Sequence, residues 1–215
     1  MTIIKICGLT RLDDALAAVD AGANLLGFVL VESSPRYVTP AQAATIIAAL
    51  RQRGIATPCV GVVANLSAAR VRAIKQECGF ALMQLHGDEG HKMVAALYPE
   101  AIVARRVTGA ASLTALARYH AFAYLLDARG AERQPGAVQT WDWRLLATAH
   151  LPGRVIVAGS LRPDNVGAAV RLARPYGVDV ASGVEQAPGR KDWAAMASFI
   201  KTVREVDNDD DIGGL

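Results

Sequence analysis

Short apolar runs alternate with amphipathic stretches along the whole chain. Runs suited to strands lie at 3–7, 25–31, 59–63, 81–85, 102–107, 123–127, 155–158 and 178–181. Between them, apolar residues recur with helical spacing at 13–21, 41–53, 68–77, 91–98, 112–119, 143–149, 163–174 and 193–205. Pro40, Ser67 and Pro163 stand where helices open, and Gly22, Gly54 and Gly79 stand where C-caps are wanted. Strands that alternate with helices form right-handed βαβ units and a parallel sheet. Eight such units in 215 residues leave roughly 25 residues each, compact but sufficient for a closed (β/α)8 TIM barrel. An open doubly wound sheet usually has fewer strands and needs a switch-point crevice, so the α/β barrel is the expected fold. One barrel domain is expected over 1–206. The segment 207–215 is acidic and ends in glycines, and is expected to fray as a tail.

In such a barrel the active site lies at the carboxyl ends of the strands. Those ends and the loops after them collect Cys7, Arg36, Asn65, His86, Arg106, Asp127, Gly159, Ser160, Ser182 and Gly183. That so many polar residues share one rim is the strongest sign of an enzyme. Within the first strand, alternation sends Lys5 and Cys7 to one face and Ile4 and Ile6 to the other. A lysine and a thiol on one face of a strand otherwise built for burial suit chemistry better than packing.

Composition narrows the setting. The chain is 52% apolar and 20% charged, ordinary for a globular protein with a sizeable core. A net charge of +3 without a basic stripe gives no case for nucleic acid and does not repel a small anion. Cys7, Cys59 and Cys78 are odd in number and unpaired in spacing, which argues against a disulfide framework or a zinc site and fits a reducing cytosol. No signal peptide is legible, and no apolar run approaches the ~18 residues of a membrane span. A soluble, cytoplasmic protein acting on a small molecule is expected, with no membrane partner.

Each candidate has an ordinary alternative. Asp127 closes an apolar run, where desolvation favours a protonated carboxyl fit for general-acid work; a solvated turn aspartate explains it equally well. Cys7 could be a buried small hydrophobe, as Cys59 and Cys78 are expected to be, but an adjacent ammonium favours a thiolate base. Lys5 is either catalytic or paired with a carboxylate such as Asp179. Arg36 sits in a proline-stiffened loop and could clamp a carboxylate, or simply be exposed. His86 reads best as a satisfied structural histidine. The small-residue segments Gly159-Ser160 and Ser182-Gly183 follow the seventh and eighth strands, where barrels bind phosphate through backbone N–H groups.

Taken in order, Lys5-Ile6-Cys7-Gly8-Leu9-Thr10, Ser34-Pro35-Arg36-Tyr37-Val38, Gln84-Leu85-His86-Gly87-Asp88-Glu89, Leu125-Leu126-Asp127-Ala128 and Ser182-Gly183-Val184-Glu185 resemble the phosphoribosylanthranilate isomerase family. The resemblance implies an Amadori rearrangement of a phosphoribosylamine bearing an anthranilate, with Asp127 as general acid and Cys7 as general base. It implies Arg36 facing the anthranilate carboxylate, with Lys5, His86, Arg106 and Asp179 as further substrate-binding candidates. Phosphate would fall to Gly159, Ser160, Ser182 and Gly183. It calls for no metal or organic cofactor, and for a monomer or homodimer. Two departures stand out: Ser160 and Val138 each replace a glycine usual in the family, so Ser160 retains phosphate binding only if its φ need not be positive.

Overall fold

The computed structural model describes residues 1–127, 142–148, 151 and 153–212. Its first half runs β1 (Ile3–Ile6), α1 (Leu12–Asp20), β2 (Leu25–Val29), α2 (Pro40–Gln52), β3 (Cys59–Val63), α3 (Ala68–Cys78), β4 (Leu82–Leu85) and α4 (His91–Ala96). Then come β5 (Ala101–Arg106), α5 (Ala110–Thr114), β6 (Ala123–Asp127), α6 (Leu145–Thr148), β7 (Arg154–Val157), α7 (Val166–Ala173) and β8 (Gly177–Val180). The chain ends with β9 (Glu185–Ala187), β10 (Arg190–Lys191) and α8 (Trp193–Ile212). Strands β1 to β8 pair in sequence order, all parallel, and β8 returns to β1 to close the barrel expected from the alternating pattern.

Local chemistry explains the helix starts. Thr39 caps α2 through a reciprocal pair, its Oγ1 accepting from the Gln42 N–H at 3.2 Å while Gln42 Oε1 accepts from the Thr39 N–H at 2.9 Å. Ser67 caps α3 by accepting from the Arg70 N–H at 3.2 Å, and Gly79 ends it in the left-handed conformation with φ of 74°.

Strand alternation sorts the core into two layers. Outward residues such as Ile4, Ile6, Leu26 and Phe28 pack under the helices with Ile46, Ile47, Phe199 and Val203. Inward residues Leu25, Val60, Ile102, Ala104, Ala123, Leu125, Ile156 and Ala158 fill the barrel.

Three of the departures from expectation are informative. Helix α7 begins at Val166 rather than Pro163, because the Asn165 side chain accepts from the Arg162 N–H at 2.8 Å and donates to the Ser160 carbonyl at 3.0 Å. Those bonds hold the preceding residues in a turn. The segment between β8 and α8 forms the antiparallel hairpin β9–β10, which no apolar pattern announces. Finally, the tail boundary at 207 falls inside α8, which continues to Ile212. Asp207 takes hydrogen bonds from the Thr2 N–H at 2.9 and 3.0 Å, the Thr2 hydroxyl at 2.6 Å and Arg204 Nη1 at 3.0 Å. An acidic residue that looks solvated in sequence therefore ties the last helix to the start of the first strand.

Burial works to raise the Asp207 pKa, but the Thr2 donors and Arg204 outweigh it and hold the carboxyl below the ordinary 3.8. Its contribution is complete above that value and fades as pH falls through the lower folded one. Asp207→Ala is expected to cost about 1.5–3 kcal/mol of unfolding free energy at neutral pH, the range for hydrogen bonds to a charged group. The difference should shrink on acidification. Urea denaturation checks it: the midpoint should fall with unchanged slope, and an unshifted midpoint would discount the contact.

Candidate active site

The inward parity of the strands continues past their carboxyl ends, so the last inward side chains meet above the filled interior. A cavity of about 220 Å³ there is lined by residues including Cys7 after β1, Arg36 after β2, Gln84 and His86 of β4 and its loop, Asp127 at the end of β6 and Asp179 of β8. Five of the candidates thus come together from distant parts of the chain. Asp127 is buried, 8% exposed, and its backbone carbonyl accepts from the Val107 N–H at 2.9 Å.

Lys5 lies beneath this cavity with no exposed surface. It stands opposite Asp179 in the β1–β8 register, and its Nζ donates to Asp179 Oδ1 at 2.8 Å. Burial alone would push the Lys5 pKa down; Asp179 and the neighbouring Cys7 more than reverse this, and the net shift is upward. The lysine is therefore a lasting ammonium beside the Cys7 sulfur, the countercharge that a thiolate there meets before it takes up a proton. Gly27 on β2 makes the meeting possible. A Cβ there would stand 2.8 Å from Cys7 Sγ and 3.0 Å from Lys5 Nζ. The Cys7 main chain is pinned on both sides: its N–H donates to the Val180 carbonyl at 2.8 Å, and its carbonyl accepts from Lys191 Nζ at 2.6 Å.

Arg36 is neither exposed nor loose. It pairs with Glu185, whose carboxylate also accepts from Lys191 Nζ at 2.9 Å. The Glu185 hydrogen bonds raise the Arg36 pKa. Burial works to raise the Glu185 pKa, yet its two cationic partners bring it below the ordinary value. For Lys191 burial wins, and its pKa falls. Glu185 ends a segment whose glycine and serine drew attention first. Lys191, fully buried and bonded to the carbonyls of Cys7 and Ala181 as well, has no local motif to flag it.

The remaining candidates divide. His86 lines the cavity and its Nδ1 lies 3.0 Å from Gln84 Nε2, a contact that orients the ring. Arg106 is exposed and lines an adjoining cavity of about 480 Å³, which shares His86 and Asp127 with the first. Its neighbour Arg105 has a different task. It donates to the carbonyls of Gly87 and Glu89 and braces the loop after β4.

On the opposite part of the rim, the loops after β7 and β8 touch. A Cβ on Gly183 would lie 1.8 Å from the Leu161 carbonyl oxygen, so only glycine permits this approach. Gly159 and Ser160 have φ of 89° and 53°. The serine thus occupies the left-handed conformation that a glycine would adopt freely, braced by Asn165 on its carbonyl. Val138 and its loop lie outside the described residues.

A closed parallel barrel whose buried thiol, carboxylate and paired cations converge at the carboxyl ends of the strands is a (β/α)8-barrel enzyme. The family model for N-(5'-phosphoribosyl)anthranilate (PRA) isomerase matches residues 4–202. The chain belongs to that family. It is 43% identical over 206 residues to the N-(5'-phosphoribosyl)anthranilate isomerase of Pelobacter propionicus, covering 96% of this chain and 97% of that protein. It is 45% identical over 204 residues to the enzyme of that name in Geobacter sulfurreducens, covering 95% and 99%. The solved phosphoribosyl anthranilate isomerase of Thermotoga maritima superimposes with a TM-score of 0.85 at 32% identity, covering 95% of this chain and all of that one. A phosphoribosyl anthranilate isomerase solved with reduced 1-(o-carboxyphenylamino)-1-deoxyribulose 5-phosphate superimposes at 0.81 with 31% identity, covering 95% of this chain and 100% of that one.

Gly27→Ala should leave the circular dichroism spectrum intact while lowering catalytic efficiency roughly a hundredfold, the cost of displacing a reacting group by about 1 Å. Near-native efficiency would show that the Lys5–Cys7 approach does not matter. Ser160→Gly should raise the urea midpoint by an amount equivalent to about 1 kcal/mol, through relief of the left-handed serine. A fall in midpoint would mean that the serine side chain stabilises the loop more than its backbone strains it.

Proposed function

We propose that this chain catalyses the Amadori rearrangement of N-(5-phosphoribosyl)anthranilate to 1-(2-carboxyphenylamino)-1-deoxyribulose 5-phosphate in tryptophan biosynthesis. Membership of the isomerase family supports the reaction. The observation that carries the assignment of roles is that Cys7 and Asp127, from β1 and β6, line one cavity together with Arg36. The reaction needs an acid and a base acting on different atoms of one sugar.

In this reading Asp127, protonated, gives its proton to the furanose ring oxygen, and the C1–O bond breaks to leave a protonated Schiff base. The Cys7 thiolate then removes the proton on C2, and the electron pair moves into a C1–C2 double bond to give the enolamine. Protonation at C1 and loss of the C2 hydroxyl proton yield the ketone. Lys5, held as an ammonium by Asp179, offsets the thiolate charge before the proton is taken. Arg36 receives the anthranilate carboxylate. The backbone around Gly159, Ser160, Ser182 and Gly183 receives the phosphate; Ser160 can share in this because the serine does adopt the positive φ of its position and keeps its N–H. His86 and Asp179 flank the sugar, while Arg106 meets the substrate from the adjoining cavity that shares His86 and Asp127.

No helix among the described residues is long and apolar enough to cross a membrane. With a small anionic substrate, this fits the cytoplasmic, nucleic-acid-independent enzyme that the reading requires, whether monomer or homodimer.

The test follows the fall of anthranilate fluorescence in freshly prepared phosphoribosylanthranilate. The wild type should turn over. Cys7→Ser and Asp127→Asn should each lose on the order of 10²–10⁴-fold in catalytic efficiency, as loss of an acid or base does. Full activity in either variant would remove that residue from its role. Absence of turnover by the wild type, with product still bound, would make the chain a binding protein instead.

A further inference from the structure

Arg36 is the group that the proposed function gives to the substrate carboxylate, yet most of its guanidinium is already committed. Nε donates to both Glu185 oxygens at 2.9 and 3.0 Å, and Nη2 donates to Oε2 at 2.6 Å. Only Nη1 has no protein acceptor among the described residues, and Arg36 lines the cavity that holds Cys7 and Asp127. Glu185 does not line that cavity.

The support behind Arg36 is unusually complete. Its stem crosses Gly8 so closely that a Cβ there would lie 2.5 Å from Arg36 Cδ, and Gly8 itself has φ of 74°. Glu185 Oε1 accepts from Lys191 Nζ at 2.9 Å. Lys191 in turn is anchored to the carbonyls of Cys7 and Ala181 at 2.6 and 3.0 Å. The hairpin carrying both residues is tied down where the Thr10 hydroxyl donates to the Gly189 carbonyl at 2.6 Å. Two cations and one carboxylate sum to a single positive charge. Glu185 thus fixes the arginine without cancelling the attraction for an anion, because Lys191 restores the charge that the carboxylate removes.

We propose that Glu185, backed by Lys191, is a positioning residue that presents the Nη1 edge of Arg36 to the aryl carboxylate, and that it thereby sets the preference for carboxylated arylamine substrates. This rests on the isomerase reading above. Glu185 touches neither the reacting atoms nor the substrate; it acts through the orientation of Arg36. An arginine released from Glu185 keeps its charge but samples many rotamers, so a planar carboxylate meets a fixed fork only when Glu185 is ionised and in place.

The experiment compares two substrates, N-(5-phosphoribosyl)anthranilate and the carboxylate-free N-(5-phosphoribosyl)aniline, in the wild type and in Glu185→Gln. The wild-type efficiency ratio should favour the carboxylated substrate. In the variant that ratio should fall by roughly tenfold or more, through a raised KM for the carboxylated substrate that exceeds any change for the aniline substrate. General structural damage lowers both substrates alike and leaves the ratio untouched. An unchanged or larger ratio therefore overturns the proposal. A second measurement needs no variant. In the wild type saturated with reduced 1-(o-carboxyphenylamino)-1-deoxyribulose 5-phosphate, the Arg36 Nε–H proton resonance should stay protected from exchange, since Glu185 keeps hold of it. Loss of that protection on binding would mean that Arg36 leaves Glu185 for the ligand, which also overturns it. Failure of the wild type to turn over the anthranilate substrate is a separate outcome that sinks the isomerase reading itself.

Discussion

Barrel closure puts a lysine where nothing but a carboxylate can keep it. Strand β1 sends Lys5 inward at a level where it has no exposed surface, and the seam with β8 supplies its carboxylate partner, Asp179, directly across the ladder at 2.8 Å. A buried ammonium without that partner would be neutral or would disrupt the core. With it, the pair becomes a fixed electrostatic floor for the cavity. Cys7, two residues further along β1, necessarily points the same way, and Gly27 on β2 leaves room for thiol and ammonium to meet. The polar side of the site is thus a consequence of register: a slip of one residue between β1 and β8 would separate Lys5 from Asp179 and turn Cys7 outward.

How far the sequence reveals this depends on the range of the interaction. Strand parity needs only a few neighbouring residues, and from it the inward direction of Lys5 and Cys7, the barrel and the rim position of Asp127 are all legible. The pairing of Lys5 with Asp179 is legible as one option, because the first and last strands of a barrel must meet. The Arg36–Glu185–Lys191 set is not. Its members stand 149 and 6 residues apart in the chain, and Lys191 lies 184 residues from the carbonyl it binds. No periodicity links them, since they come from loops and a short hairpin. Arg36 viewed alone looks exposed for this reason. The acidic stretch from Asp207 misleads in the same way: composition suggests solvent, while the actual partner, Thr2, is at the other end of the chain. At Ser160 the residue type argues against a positive φ, and the loop adopts one regardless because Asn165 and the neighbouring glycine constrain it.

The two sides of the β1–β8 region solve one problem by different means. Buried charges seldom stabilise a fold, since desolvation offsets their attraction, so two separate buried ionic clusters beside one cavity call for a reason other than stability. Both clusters terminate on Cys7. Lys5 reaches its side chain from below, and Lys191 reaches its backbone carbonyl from the hairpin side, while the Val180 carbonyl holds its N–H. A cysteine has a single heavy-atom torsion, so a fixed backbone leaves its sulfur only a few discrete positions, and Gly27 and Lys5 restrict those further. Proton abstraction from carbon is sensitive to the placement of the base, and precise placement of a side chain with one torsion requires precision in its main chain. Lys191 supplies that precision and, through Glu185, extends it to Arg36. In the proposed reaction the base and the group that seats the far end of the substrate are then referenced to the same buried ammonium. Their separation is set by bonds within one cluster, so it does not depend on how two independent loops happen to pack.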